Sequence, residues 1–259
     1  MCSIVYTLLI DSGNTYTKLI TLQGDEVLER LRISGNVREA VVQIQTESHP
    51  QKSFTRAEWQ LLYSSVASPQ KELETFLRER ADYVLILGSD TPVPLKEIRY
   101  NRSTLGVDRL AVAVAAFNRS HPAERNALVI DIGTAITYDF ITYTGIFMGG
   151  TISPGPQIRL RALHEFTGRL PMVDLTPNPD PAMRTPHSTP QAIAQGVGIG
   201  IIFEVQQYIN NTLIDKPKTD IYLTGGWAPY FADQLKNVTF ALPELQMEGL
   251  KSILAYNHQ

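Results

Sequence analysis

A repeat restricts the fold of this chain more than any other feature. An apolar run, Ile4–Ile10, ends in the polar turn Asp11-Ser12-Gly13-Asn14-Thr15, and two further β-rich runs follow, Thr17–Leu22 and Val27–Ile33, separated by Gln23-Gly24-Asp25. The pattern returns as Ala127–Ile130, the turn Asp131-Ile132-Gly133-Thr134-Ala135, and the runs Thr137–Ile141 and Ile146–Ile152, joined by Thr144-Gly145. Asp11 to Asp131 and Gly13 to Gly133 both span 120 residues (131 less 11, 133 less 13). One such turn after a strand is common, but two copies at half-chain spacing, each leading a three-stranded meander, read as duplication of one supersecondary unit. With 259 residues there is room for two halves, which we place at 1–118 and 119–259. If a pseudo-two-fold axis relates them, the two turns face each other across a cleft, where ligand sites concentrate.

Between the meanders the periodicity predicts helices over Val37–Thr46, Arg56–Leu62 and, after Pro69, Gln70–Arg80. Apolar runs at Leu61–Val66 and Tyr83–Leu87 read as buried strands, so the class is a mixed α/β sheet flanked by helices. Leu110–Phe117 has helical character, and Thr189 opens a long helical segment through Leu213. Its Gly196, Gly198 and Gly200 cost helix stability unless something packs closely there, as a partner helix would.

Composition excludes several classes. The chain carries 23 basic against 26 acidic residues, a net charge of −3, and so has no excess of positive charge for nucleic acid. The longest apolar stretch, Leu105–Phe117, is broken by Asp108 and Arg109 and is too short to cross a bilayer. No basic start or small-residue cleavage site marks the N-terminus as a secretory signal, and one cysteine, Cys2, cannot close a disulfide within the chain; a cytoplasmic location is expected. His49, His121, His164, His187 and His258 lie at no metal-ligand spacing, which disfavours zinc. The stretch Pro177–Pro190 is too punctuated for a helix and reads as a loop over a substrate or an oligomer contact.

The two turns suit phosphate chemistry. Gly13 lets backbone approach a phosphate, Asn14 and Thr15 can donate to its oxygens, and Lys18 adds charge. Asp11 at a strand end can hold a hydrated Mg²⁺, and Asp131 with Thr134 offers the same from the second turn. Neither turn has the glycine spacing of a Walker A loop or a dinucleotide fingerprint.

The segment Asp11-Ser12-Gly13-Asn14-Thr15-Tyr16-Thr17-Lys18 resembles the Asp-x-Gly-Asn-Thr-x-x-Lys signature of the type III pantothenate kinases, within the acetate and sugar kinase/Hsp70/actin superfamily. Gly106-Val107-Asp108-Arg109, Asp131-Ile132-Gly133-Thr134-Ala135, Gly149-Gly150-Thr151-Ile152-Ser153-Pro154-Gly155, Thr189 to Gly196, Thr224-Gly225-Gly226 and Glu248-Gly249-Leu250 match further motifs in order, over nearly the whole chain. Leu242 to Met247 follows the family only loosely.

The resemblance implies duplicated ribonuclease H-like (actin-like ATPase) domains with the active-site cleft between the halves. It also implies ATP-dependent phosphorylation of pantothenate to 4′-phosphopantothenate, the first step of coenzyme A synthesis. ATP would lie on residues 11–18 and Thr134. Asp108 would be the general base, where the residues alone read rather as an acid near a helix N-terminus beside an arginine in a surface ion pair, and Gly106 would leave room for the ligand. Gly106, Val107, Asp108 and Arg109 would contact pantothenate, with Arg109 forking its carboxylate. Tyr100 and Thr189 would contact it too, although Thr189 could instead be an N-cap with Pro190 at N1. Asp131 is left by symmetry as an Mg²⁺ ligand and by the resemblance as the ligand of a monovalent cation, K⁺ or NH₄⁺. The family is dimeric. A noncatalytic regulatory homologue and another small-molecule kinase of the superfamily, acting on a sugar or acetate, are the alternatives; retention of Asp108 and Lys18 argues against the first.

Overall fold

The computed structural model describes residues 4–13, 15–48, 57–66, 71–175 and 185–258. Three strands, β1 (Ile4–Ser12), β2 (Thr17–Gln23) and β3 (Glu26–Ile33), precede helix α1 (Val37–Ser48). Strand β4 (Ala57–Ser65), helix α2 (Lys71–Arg78) and strand β5 (Tyr83–Ile86) complete the first series. The second comprises β6 (Glu97–Ile98), α3 (Val107–Ser120), β7 (Asn126–Ile132), β8 (Ala135–Ile141), β9 (Ile146–Pro154), α4 (Pro156–Glu165), α5 (Thr189–Asp215), β10 (Thr219–Thr224), α6 (Ala228–Phe231) and β11 (Phe240–Ala241). Helix α7 (Leu245–Asn257) closes the series. Two compact units result: residues 1–94, 101–114 and 246–259 in one, residues 95–100 and 115–245 in the other.

In the first unit the strand order is β3-β2-β1-β4-β5. The meander β1–β2–β3 is antiparallel, and β4 and β5 join β1 in parallel. Strand β1 is therefore central, which explains why Ile4–Ile10 is apolar on both faces. Tyr6, Leu8 and Ile10 pack with Val41 and Ile44 of α1 and with Leu73 and Leu77 of α2. Helix α7 belongs to this unit, and its Gly249 lies so close to the Ala111 carbonyl of α3 that any side chain there would overlap it.

The second unit repeats the arrangement. Its sheet runs β11-β10-β7-β8-β9-β6, so β9-β8-β7-β10-β11 has the order and directions of β3-β2-β1-β4-β5, with β6 added at the β9 edge. Ile130, Ile132 and Ile136 pack against Ile201, Val205 and Ile209 of α5.

The sequence reading fails at Arg56–Leu62, expected to be helical. Residues 57–65 instead form one strand, whose Trp59, Leu61 and Tyr63 alternate into the core. A short apolar run fits either period, and here parallel pairing on both sides settles it as strand. Helix α3 also starts earlier than Leu110, which puts Asp108 in its first turn. Most of the proline-rich stretch, residues 176–184, lies outside the described residues, as do Cys2, Asn14 and His49.

Candidate functional site

In the first unit β1 carries Asp11 and Ser12 into the turn, and the antiparallel ladder returns Thr17 opposite Ser12 and Lys18 opposite Asp11. The turn is closed by the Gly13 N–H donating to the Tyr16 carbonyl at 3.1 Å, while the Thr17 hydroxyl donates to Ser12 at 3.3 Å. Tyr16 is exposed, and the Arg32 guanidinium stands 3.9 Å from its ring centre. Asp11 is buried, and its Oδ1 has no hydrogen-bond partner among the described residues. Burial pushes its carboxyl up to about 6; Lys18 works against the rise, Asp108 adds to it, and Ser64 of β4 and Gln246 of α7 oppose it.

The same unit supplies the start of α3. Asp108 Oδ1 accepts from the Arg109 N–H at 2.8 Å, and Arg109 is buried. A side chain at Gly106 would overlap Asp108 Oδ1, so the room this glycine leaves is taken by the Asp108 carboxylate, whereas the sequence suggested a ligand.

In the second unit Asp131 stands at the end of β7, opposite Thr137 of β8 and Thr224 of β10. Gly225, at φ +93°, lies against Asp131 Oδ1 and the Ile132 carbonyl, leaving no space for a side chain. The Gly133 N–H donates to the Ala135 carbonyl at 2.9 Å, which parallels the closure at Gly13. Thr134 is exposed, and its carbonyl accepts from the Gly155 N–H at 3.0 Å. Tyr100, half-buried, meets the Phe147 ring edge-on. Thr189 is the first residue of α5, but the cap is Ser188, whose hydroxyl accepts from the Gln191 N–H at 3.4 Å. The cap assigned to Thr189 therefore belongs one residue earlier, and Thr189 is exposed.

The structure thus brings Asp11, Lys18 and Asp108 together in one unit, and Asp131, Gly225 and Thr134 onto adjoining turns in the other. Sequence reasoning missed Ser64 and Gln246. Only the nearby Glu248-Gly249-Leu250 motif marked that helix, because contact with Asp11 arises across 235 residues of chain (246 less 11).

A hard cation fits both carboxylates. Among the described residues, Asp11 Oδ1 is a buried oxygen with no partner, and so is the buried Thr137 hydroxyl opposite Asp131. Among the described residues no three His, Cys, Asp or Glu side chains converge as a metal cluster.

Two sheets of one strand order, each opening on an Asp-x-Gly turn, define the actin-like ATPase fold. Solved structures share it: a conserved Baf family protein from Campylobacter jejuni (21% identity, TM-score 0.59, 97% of this chain and 98% of that one) and the Alp12 filament (11% identity, TM-score 0.56, 99% and 100%). The family model for type III pantothenate kinase matches residues 7–211. Proteins named type III pantothenate kinase are 36% identical in Porphyromonas gingivalis strain W83, over 97% of this chain and 99% of that one, and 36% identical in Christiangramia forsetii, over 96% and 98%. The chain belongs to the type III pantothenate kinase family. No helix among the described residues is long and apolar enough to cross a membrane.

Proposed function

We propose the roles by which this chain phosphorylates pantothenate with ATP, in coenzyme A biosynthesis. The observation that carries the assignment is the buried Asp11 carboxyl, on which the charges of Lys18 on the neighbouring strand and of Asp108 at the start of α3 both act. Asp108 accepts the proton of the primary hydroxyl as its oxygen bonds to the γ-phosphorus and the β,γ-bridging bond breaks. Arg109 holds the substrate carboxylate, with Val107, Tyr100 and Thr189 forming the rest of the contact. Residues 11–18 and Thr134 hold the nucleotide phosphates. Asp11 would hold Mg²⁺ and Asp131 a monovalent cation, K⁺ or NH₄⁺; when bound, the two spread the charge of the triphosphate.

We read the chain as two duplicated halves dividing near residue 118 and acting in the cytoplasm as a homodimer. Supporting the dimer, Gly196, Gly200, Phe203 and Ile214 fall on one face of α5. Among the described residues, side chains added at either glycine would meet nothing within 4 Å, and Phe203 and Ile214 are exposed. A coupled assay with pantothenate and ATP, with and without K⁺, tests these roles. Turnover that needs K⁺ and is lost in Asp108→Asn supports them, and equal turnover with and without K⁺ removes the Asp131 assignment. Calorimetry with pantothenate and with a sugar separates this reading from another kinase of the superfamily.

A further inference from the structure

The motif Gly149-Gly150-Thr151-Ile152-Ser153-Pro154-Gly155 carries an irregularity that the assigned roles leave unused. Along the β8–β9 ladder Phe140 pairs with Gly149 but Ile141 pairs with Phe147, so Met148 is an extra residue on β9. Such a bulge bends its strand and re-aims what lies beside it. Gly149 follows at φ +91°, where a residue with a side chain is strained. A Cβ there would stand 2.9 Å from Cδ2 and 3.5 Å from Cε2 of Tyr100, so the bare backbone of Gly149 is the bed of that ring.

The ring also meets Phe147, fully buried, with ring centres 6.2 Å apart and planes at 76°. The backbone leading to Tyr100 is fastened to the same strand: Glu97 and Ile98 pair with Ile146 and Phe147, and the Arg99 N–H donates to the Phe147 carbonyl at 2.9 Å. One stretch of β9 therefore fixes both the main chain before Tyr100 and the plane of its ring.

We propose that Gly149 is a positioning residue for pantothenate, acting through Tyr100: the bulge and the missing side chain together set the ring in its binding orientation before the substrate arrives. This rests on the reading of Tyr100 as a substrate contact. A ring held in place spares the ordering cost of binding, and a displacement of a few tenths of an ångström is felt at the substrate.

The test compares Gly149→Ala, Tyr100→Ala and the double variant by steady-state kinetics with each substrate varied, and by calorimetric binding of pantothenate. Gly149→Ala is expected to raise KM and Kd for pantothenate about tenfold, with KM for ATP within about twofold of wild type. In the double variant the Gly149 change should add little to Tyr100→Ala, since the ring it acts through is gone. Should Gly149→Ala fail to fold, Phe147→Leu loosens the ring's edge without backbone strain and is expected to raise the pantothenate KM about threefold. A flat pantothenate KM in Gly149→Ala beside a raised one in Tyr100→Ala overturns the proposal alone. Equal rises for both substrates, or fully additive effects, overturn it as well. A flat response to Tyr100→Ala overturns the reading of Tyr100 and the proposal with it.

Discussion

Asp11 is a buried carboxylate, one oxygen of which has no partner among the described residues, an arrangement that costs stability unless a cation joins it. Its carboxyl is raised from 3.8 to about 6 by burial first, so the folded state favours the protonated form. The corresponding stability is complete below the ordinary value and is lost as pH rises through about 6. At pH 7.5 the ionised group therefore costs up to about 3 kcal/mol. Without nucleotide or metal, Asp11→Asn should melt several degrees above wild type at pH 7.5 and level with it near pH 3.8; thermal melts at both pH values check this, and an equal gain at the two would contradict it. Asp108→Asn should lower kcat about 10²–10⁴-fold with an unchanged melting temperature, read by assay and calorimetric scan. Asp11 and Lys18 were legible in the sequence because a polar turn at a strand end is a local pattern, whereas Asp108 was picked out only by the resemblance of its Gly-x-Asp-Arg motif. Gln246 was not, since nothing within its own helix says that Asp11 lies beside it.

At the scale of elements, α5 is tied to its sheet by Glu204. That carboxylate accepts from the Tyr138 hydroxyl at 2.7 Å, from Ser153 at 2.5 Å and from Arg159 Nη2 at 2.5 Å, while Arg159 Nε donates to the Pro154 carbonyl at 2.7 Å. Burial alone would raise the Glu204 carboxyl, but the bonds from Ser153, Arg159 and Tyr138 outweigh it and hold the group below its usual range. Burial and the same bond push the Tyr138 phenol well above its own. Glu204→Ala should cost about 1–2 kcal/mol, a fall of a few degrees in Tm, because it strands three donors. A melt within one degree of wild type would show the network to be idle. Both meanders were legible, since a polar turn between β-rich runs has one simple reading. Strand β4 was legible only in its second half, read as Leu61–Val66; its first half read as helix because pairing with β1 and β5, rather than local period, decides its conformation.

For the whole molecule, the 120-residue offset anticipated two sheets of the same strand order. What the sequence reading did not anticipate is that the first compact unit takes in residues 246–259. Self-association is the property most open to test at this scale. Phe203→Glu places a charge on the open face of α5 and is expected to shift a dimer to monomer in light scattering, with its Tm at low concentration little changed. An unchanged mass would move the interface elsewhere.

The placement of α7 has a consequence for synthesis. Asp11 and Ser64 emerge early, but Gln246, which completes their surroundings, and Gly249, which docks on Ala111, are made only after the intervening 131 residues of the second unit (115 to 245). At the usual pace of translation that interval is on the order of ten seconds. The second unit can fold as it leaves the ribosome, while the first must wait, with the face of α3 that receives Gly249 uncovered. A truncation or bulky fusion reaching into α7 would accordingly strike the surroundings of Asp11 and Asp108, begun before the second unit and completed after it.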